Sequence, residues 1–150
     1  MTLAETRADE ALALQARMVA LVRAFGWHRP EQTPCGQPVP ISDAHALMEL
    51  GRQDTLAQHV LGARLGLEKS TVSRLVRQLE ERGWVTRLRS AADGRVTLLA
   101  LTSAGRQVND QLTSARAAFF ARVLESVPDD KRHNLLESLD LLVGVLHADR

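Results

Sequence analysis

The residues best suited to chemistry lie between positions 69 and 95. Ser70, Thr71 and Ser73 come first, followed by Arg74, Arg77 and Gln78. Short hydroxyls at the start of a helix, beside its exposed amides, suit phosphate oxygens and base edges. Arginine pairs bidentately with phosphate or with guanine, so Arg74, Arg77 and Gln78 are the candidates for base reading. Lys69, Arg87 and Arg89 are expected to meet phosphates, which gives salt-dependent, sequence-blind affinity. A second constellation, Asp93-Gly94-Arg95, combines a strong turn signal with an arginine at its tip. This is the chemistry of non-covalent duplex recognition.

Those side chains need a helix and a hairpin to hold them. Val72, Leu75, Val76 and Leu79 recur at three- and four-residue spacing, which predicts a helix over 69–82 with one buried stripe. Gly83 is placed to end it, and Gly66 to end a shorter helix before it. Apolar and β-branched residues over 84–89 and 96–101 predict two strands flanking the polar tip 90–95. Helix, glycine turn, helix and hairpin together form a winged helix-turn-helix.

The run LGLEKSTVSRLVRQLEERGWV, then Asp93 and Arg95 in ADGR, then Leu101-Thr102 and Gly105, resembles the MarR family of bacterial transcriptional regulators. The resemblance extends over essentially the whole chain. It implies a homodimer with one winged helix per subunit and a second motif helix entering the major groove. It also implies that Arg95 reaches the minor groove while Asp93 holds it in position. Two positions depart from the family pattern. Ala57 stands where a capping Ser or Thr is common, and Gly62 replaces the usual Ala. Each is expected to weaken the first motif helix by about 1 kcal/mol.

The charge distribution agrees with a reading lobe. Net charge is only +1 over 150 residues, 45% of them hydrophobic. Yet Lys69, Arg74, Arg77, Arg82, Arg87, Arg89 and Arg95 face only Glu80, Glu81 and Asp93 in the same stretch. Arg82 is expected to pair within the chain, with Glu80, Glu81 or Glu68. The lone Cys35 excludes an internal disulfide and a CxxC metal knuckle. No apolar run is long enough to cross a membrane, and no secretory leader is visible, so the expectation is a cytoplasmic protein.

The fold class expected is mainly α with a small β-hairpin wing. A winged helix-turn-helix lobe over 41–101 is joined to a helical dimerisation lobe built from both chain ends, 1–40 and 102–150. The first helix, 3–25, carries Leu14, Met18, Leu21, Val22 and Phe25 on one stripe and stops at Gly26. The segment 27–40 is broken by prolines. A helix over 42–50 follows, with Ser42 as its N-cap. A short strand-like entry at Leu56 precedes the motif. Thr102 caps a long helix to about residue 125, with Val108, Leu112, Ala115, Phe119 and Val123 near heptad spacing. Pro128, Asp129 and Asp130 open the last helix, whose Leu135, Leu136, Leu139, Leu142, Val143 and Leu146 exceed what one small core needs. A homodimer reading an inverted repeat in double-stranded DNA follows, with half-sites about one helical turn apart.

The switch is sought in Trp27, His28, Cys35, His45 and Met48. With Phe25 and Phe119 or Phe120 they are ordinary ingredients of a pocket for a small aromatic effector, and equally of a core. Cys35 could instead sense oxidants if its thiol is accessible and partly ionised. The family's oxidant sensors place the reactive cysteine earlier, inside the first helix, so the resemblance does not carry that role to Cys35. A metal site would need Cys35 and His45 with Asp43 or His28, and no metal or cofactor is expected. Cys35 and His45 as nucleophile and base lack a third orienting group, so no enzyme is expected. A winged helix used only for protein contacts is the rival of a different class; it would not need the polar face 70–78 or the Asp93/Arg95 tip. Repression, relieved by an effector, is the expected mode.

Overall fold

The computed structural model describes residues 3–148. The elements run α1 (Leu3–Phe25), α2 (Ile41–Leu50), β1 (Leu56–Ala57), α3 (Gln58–Leu65), α4 (Lys69–Glu81), β2 (Val85–Arg89), β3 (Thr97–Leu101), α5 (Ser103–Glu125) and α6 (Asp129–Ala148). The architecture is mainly helical with a small antiparallel sheet, in agreement with the expected class. The wing is three-stranded, in the order β1-β3-β2. Leu56 pairs with Leu99, and Val85 with Leu101, so the strand-like entry at Leu56 is a true edge strand. The chain divides into two compact units, 1–113 and 114–150.

The core of the first unit follows from the stripe on α4. Val72, Leu75, Val76 and Leu79 are all buried, against Leu47 and Leu50 of α2, Leu61 of α3 and Leu99 and Leu101 of β3. Leu112 of α5 completes the cluster, with Val108 packed against it. Burying each such side chain contributes roughly 1.5–3 kcal/mol, which outweighs the modest helical propensity of so short a segment. Both motif helices stop in the same way. Gly66 and Gly83 adopt φ of 64° and 74°. The next amide in each case, Leu67 N–H or Trp84 N–H, reaches back to the carbonyl of Gly62 or Leu79, at 2.9 and 3.0 Å. This left-handed stop is open to glycine at little steric cost.

Three expectations need correction. Ser42 does not cap α2: the helix begins one residue earlier, Pro40 is the N-cap, and no side chain caps it. The Pro40 carbonyl accepts from Ala44 N–H, while the Ser42 hydroxyl turns to Asp43. Gly62 is more than a weak point in α3. A Cβ there would lie 2.9 Å from Cγ2 of Val72, so the missing side chain lets α3 close on α4. Arg82 pairs within the chain, as expected, but with Asp43 of α2 and not with a neighbouring glutamate. Thr102 behaves as expected at the start of α5, accepting from Gly105 N–H at 3.0 Å.

In the second unit the turn between α5 and α6 is clamped by one arginine. Arg132 Nε donates to the carbonyls of Leu124 and Val127, both at 3.0 Å, and Nη1 lies 2.7 Å from Asp129. Phe119 and Phe120 meet edge to face. Helix α6 buries no residue at all. Leu136, Leu141, Val143, Val145 and Leu146 are each at least half exposed.

Candidate nucleic-acid interface

Helix α4 shows the solvent a polar face opposite its buried stripe. Lys69, Ser70, Arg74, Arg77 and Gln78 are exposed, and Thr71 and Ser73 are half-buried. No side chain caps the start of the helix, where the exposed Lys69 follows the exposed N-cap residue Glu68. Ser73 is partly engaged: its Oγ accepts from Gln58 Nε2 of α3 at 3.2 Å, which ties the two motif helices together on this face. Among the described residues, Lys69, Arg74, Arg77, Arg89 and Arg95 form no ion pair. Arg87 differs, with Nε 3.0 Å from Glu80 and its side chain 41% exposed.

The tip of the wing is ordered by one carboxylate. Asp93 Oδ1 accepts from Arg95 N–H at 2.9 Å, while Asp93 N–H donates to Ser90 Oγ at 3.2 Å. Val96 N–H closes the turn onto the Asp93 carbonyl. Asp93 meets Arg95 through the backbone amide, and Arg95 itself is exposed. Between the wing and the start of α4 lies a cleft of about 370 Å³ lined by Gln58, His59, Lys69, Arg95, Val96 and Thr97, among others. Two cations and an imidazole around one concavity suit an anionic backbone. Sequence reasoning missed Gln58 and His59. Both begin α3, which was read as a supporting helix, so nothing in their spacing marked them.

The sensing candidates are dispersed. Trp27 stacks on Phe25 with centroids 5.1 Å apart and is 44% exposed. His28 and Phe25 line a second cleft of about 290 Å³ at the end of α1, with Arg23, Arg29, Gln32 and Thr33. Trp27, His45 and Met48 are not among its lining residues; His45 is exposed and Met48 half-buried on α2. Cys35 is half-buried, its Sγ 3.0 Å from Oγ1 of the buried Thr33. Among the described residues, no group of three His, Cys, Asp or Glu gathers as metal ligands would.

Residues 37–96, from the approach to α2 to the end of the wing tip, match the sequence model of the MarR family. Over that segment the chain is similar to the MarR family. It is 30% identical over 86 residues to an uncharacterised HTH-type transcriptional regulator of Bacillus subtilis, YdgJ, covering 57% of this chain and 52% of that one. The chain spans about half the length of the first curated relatives it matches. Among solved structures it is similar to the PcaV transcriptional regulator of Streptomyces coelicolor in complex with its natural ligand. That similarity has a TM-score of 0.68 at 27% identity and covers 91% of this chain and 92% of PcaV. The fold is also that of Streptococcus pneumoniae FabT in complex with DNA, with a TM-score of 0.71 at 20% identity, over 97% of this chain and 99% of FabT. The MarR motif residues therefore have structural roles: Asp93 orders the wing tip, Gly83 ends α4, and Thr102 with Gly105 joins the sheet to α5. No helix among the described residues is long and apolar enough to cross a membrane.

Proposed function

We propose that this chain is a sequence-specific DNA-binding transcriptional regulator, acting as a homodimeric repressor that a small-molecule effector releases. The observation that carries the reading is the unneutralised polar face of α4 beside the cleft closed by Arg95. Lys69, Arg74 and Arg77 have no acidic partner among the described residues, whereas Arg82 and Arg87 do. A surface serving only solubility would not sort its cations so. In the proposed mode α4 enters the major groove, with Arg74, Arg77 and Gln78 at base edges. Ser70, Thr71, Lys69 and Arg89 meet phosphates, and Arg95 reaches the minor groove from the wing. Arg87 joins them by exchanging Glu80 for a phosphate.

The dimer is supported by α6, which buries no residue and leaves Leu136, Leu141, Val143, Val145 and Leu146 at least half exposed. The helical segments 1–40 and 102–150 would pair the subunits, leaving 41–101 of each to read one half of an inverted repeat. Repression would follow from occlusion of a promoter. The cleft at the end of α1, lined by Arg23, His28 and Arg29 together with Phe25, supports an anionic aromatic effector. A second reading, redox control through Cys35, rests on its half-exposed thiol beside the Thr33 hydroxyl.

Fluorescence anisotropy of the purified chain on DNA from upstream of its own gene, across a salt series, tests the proposal. Steeply salt-dependent binding that is lost in Arg95→Ala and Arg74→Ala is the expected result. Binding that neither substitution changes favours a protein-contact module instead. Loss of binding with peroxide, reversed by reductant and absent in Cys35→Ser, selects the redox reading over the organic effector.

A further inference from the structure

Asp43 is an acid in an interior formed chiefly by leucine, valine and alanine. Its side chain is 3% exposed, and its Oδ2 lies 3.3 Å from Nε of Arg82. The Ser42 hydroxyl donates to Oδ1 at 3.4 Å. Arg82 is the C-cap residue of α4, its N–H bonded to the Gln78 carbonyl. Its guanidinium also lies over the Trp84 ring, 5.0 Å from the centroid. One cation thus joins the first turn of α2, the last turn of α4 and the residue that leads into β2. Gln78, at the base-reading end of α4, lines the same concave surface as Asp43, Arg82, Ser42 and Glu81.

Apolar packing alone leaves a helix some freedom to rotate and slide, because its contacts are non-directional. A directional pair at the end of α4 removes that freedom where Arg77 and Gln78 project. A buried ion pair is a poor source of stability but a good source of registry. We propose that the Asp43–Arg82 pair is a positioning contact that sets the orientation of α4 for base reading, and so the specificity of DNA binding rather than the stability of the fold. The inference rests on the DNA-binding reading above. Asp43 and Arg82 touch no base themselves; they act through Arg77 and Gln78.

The test uses the full chain and a duplex enriched by the wild-type protein from a random-sequence library, compared with an unrelated duplex of equal length. Asp43→Asn, Arg82→Gln and the double variant are measured well below their unfolding transitions. Each single substitution is expected to lower the preference for the enriched duplex by about tenfold, the effect of one misplaced base contact. The double variant should lose no more than either single, since the pair acts as a unit. The salt slope should stay unchanged, because no phosphate contact is removed.

A pH series separates positioning from mere support. Ser42 on its own helix and Gln78, Glu81 and Arg82 on α4 are the polar residues that line this surface with Asp43, so protonation of Asp43 leaves Glu81 as the acidic residue beside Arg82 there, among the described residues. Wild-type preference should decline toward that of Asp43→Asn as pH falls, while the variant stays flat. Wild-type preference in both single variants, or losses that add in the double, overturns the proposal. If Asp43→Asn does not fold, Arg82→Gln, at a side chain 44% exposed, decides alone. A wild-type chain with no duplex preference at any salt overturns the DNA reading itself, a different outcome from variants that discriminate as well as the wild type.

Discussion

The hydroxyl of Thr102 donates to the carbonyl of Gly83 at 2.6 Å across the base of the wing. The same oxygen accepts from Gly105 N–H at 3.0 Å, and Thr102 N–H donates to the Trp84 carbonyl, also at 3.0 Å. One threonine therefore fastens the stop of α4, the start of β2 and the first turn of α5. Wing and α4 are tied together through these bonds to the backbone.

Thr102→Val should remove both side-chain bonds at nearly constant volume. The expected loss is about 1–2 kcal/mol, combining a lost N-cap with an unpaired carbonyl. Gly105→Ala should do more damage, because its Cβ would overlap the Trp84 carbonyl, which cannot move without opening the sheet. Urea unfolding of both variants checks the order; equal stability in Gly105→Ala and the wild type would refute the close approach.

Gly62→Ala sets two effects against each other. Helix propensity favours alanine by about 1 kcal/mol. The new methyl would press on Cγ2 of Val72 at 2.9 Å in the core between α3 and α4, where overpacking costs about 1–3 kcal/mol. The tertiary term should win, giving a lower midpoint in denaturant. Pairing the change with Val72→Ala should recover part of the overpacking loss, a coupling that propensity alone does not produce.

The contrast at Gly62 shows what the sequence carries. Helix α4 was legible because Val72, Leu75, Val76 and Leu79 state its buried face by spacing. The wing was legible because Asp93-Gly94 sits between two apolar runs. Both are local signals. The partner of Arg82 was not legible, since Asp43 lies on another helix and three glutamates lie nearer in the chain. Gln58 and His59 were overlooked for the same reason: only folding brings them beside Lys69 and Arg95. The sensing residues stayed open because aromatic and histidine side chains look alike in a core and in a pocket.

Asp43 predicts a pH dependence of stability. Burial raises its pKa above the ordinary 3.8, and the opposing pull of Arg82 and the Ser42 hydrogen bond is weaker. Between 3.8 and the raised value the folded chain holds a proton that the unfolded chain has released. The stability from this group is therefore fully present below the unfolded value and is lost as pH rises through the folded one. Asp43→Asn should remove that decline and be no less stable than the wild type near neutrality. Denaturation across a pH series checks the sign; a wild type that gains stability relative to the variant as pH rises through this window would contradict it.

The exposed face of α6 predicts a monomeric variant. Leu136 and Leu146 are 52% and 53% exposed. Replacing both by glutamate should leave helical circular dichroism intact, since each is about half exposed and neither is buried, while placing charges in the proposed subunit contact. Sedimentation equilibrium should then show a monomer where the wild type is a dimer. DNA affinity should fall steeply with it, because a single half-site lacks the second subunit's contacts.

The arginines of α4 and the wing should fail in different ways. Arg74→Ala removes a proposed base contact, so affinity for the preferred sequence should fall by about 1–3 kcal/mol while binding to unrelated duplex changes little. Lys69→Ala and Arg89→Ala remove proposed phosphate contacts, so each should weaken both duplexes alike and reduce the salt slope by about 1. Asp93→Ala leaves Arg95 present but unties its amide from Oδ1, freeing the tip to sample other turns. Its loss should resemble that of Arg95→Ala, though smaller, because the guanidinium is kept while the turn that carries it is loosened. Salt titrations of the five variants on both duplexes check the pattern. An Arg74→Ala variant that loses affinity equally for both duplexes would move that residue from the bases to the backbone.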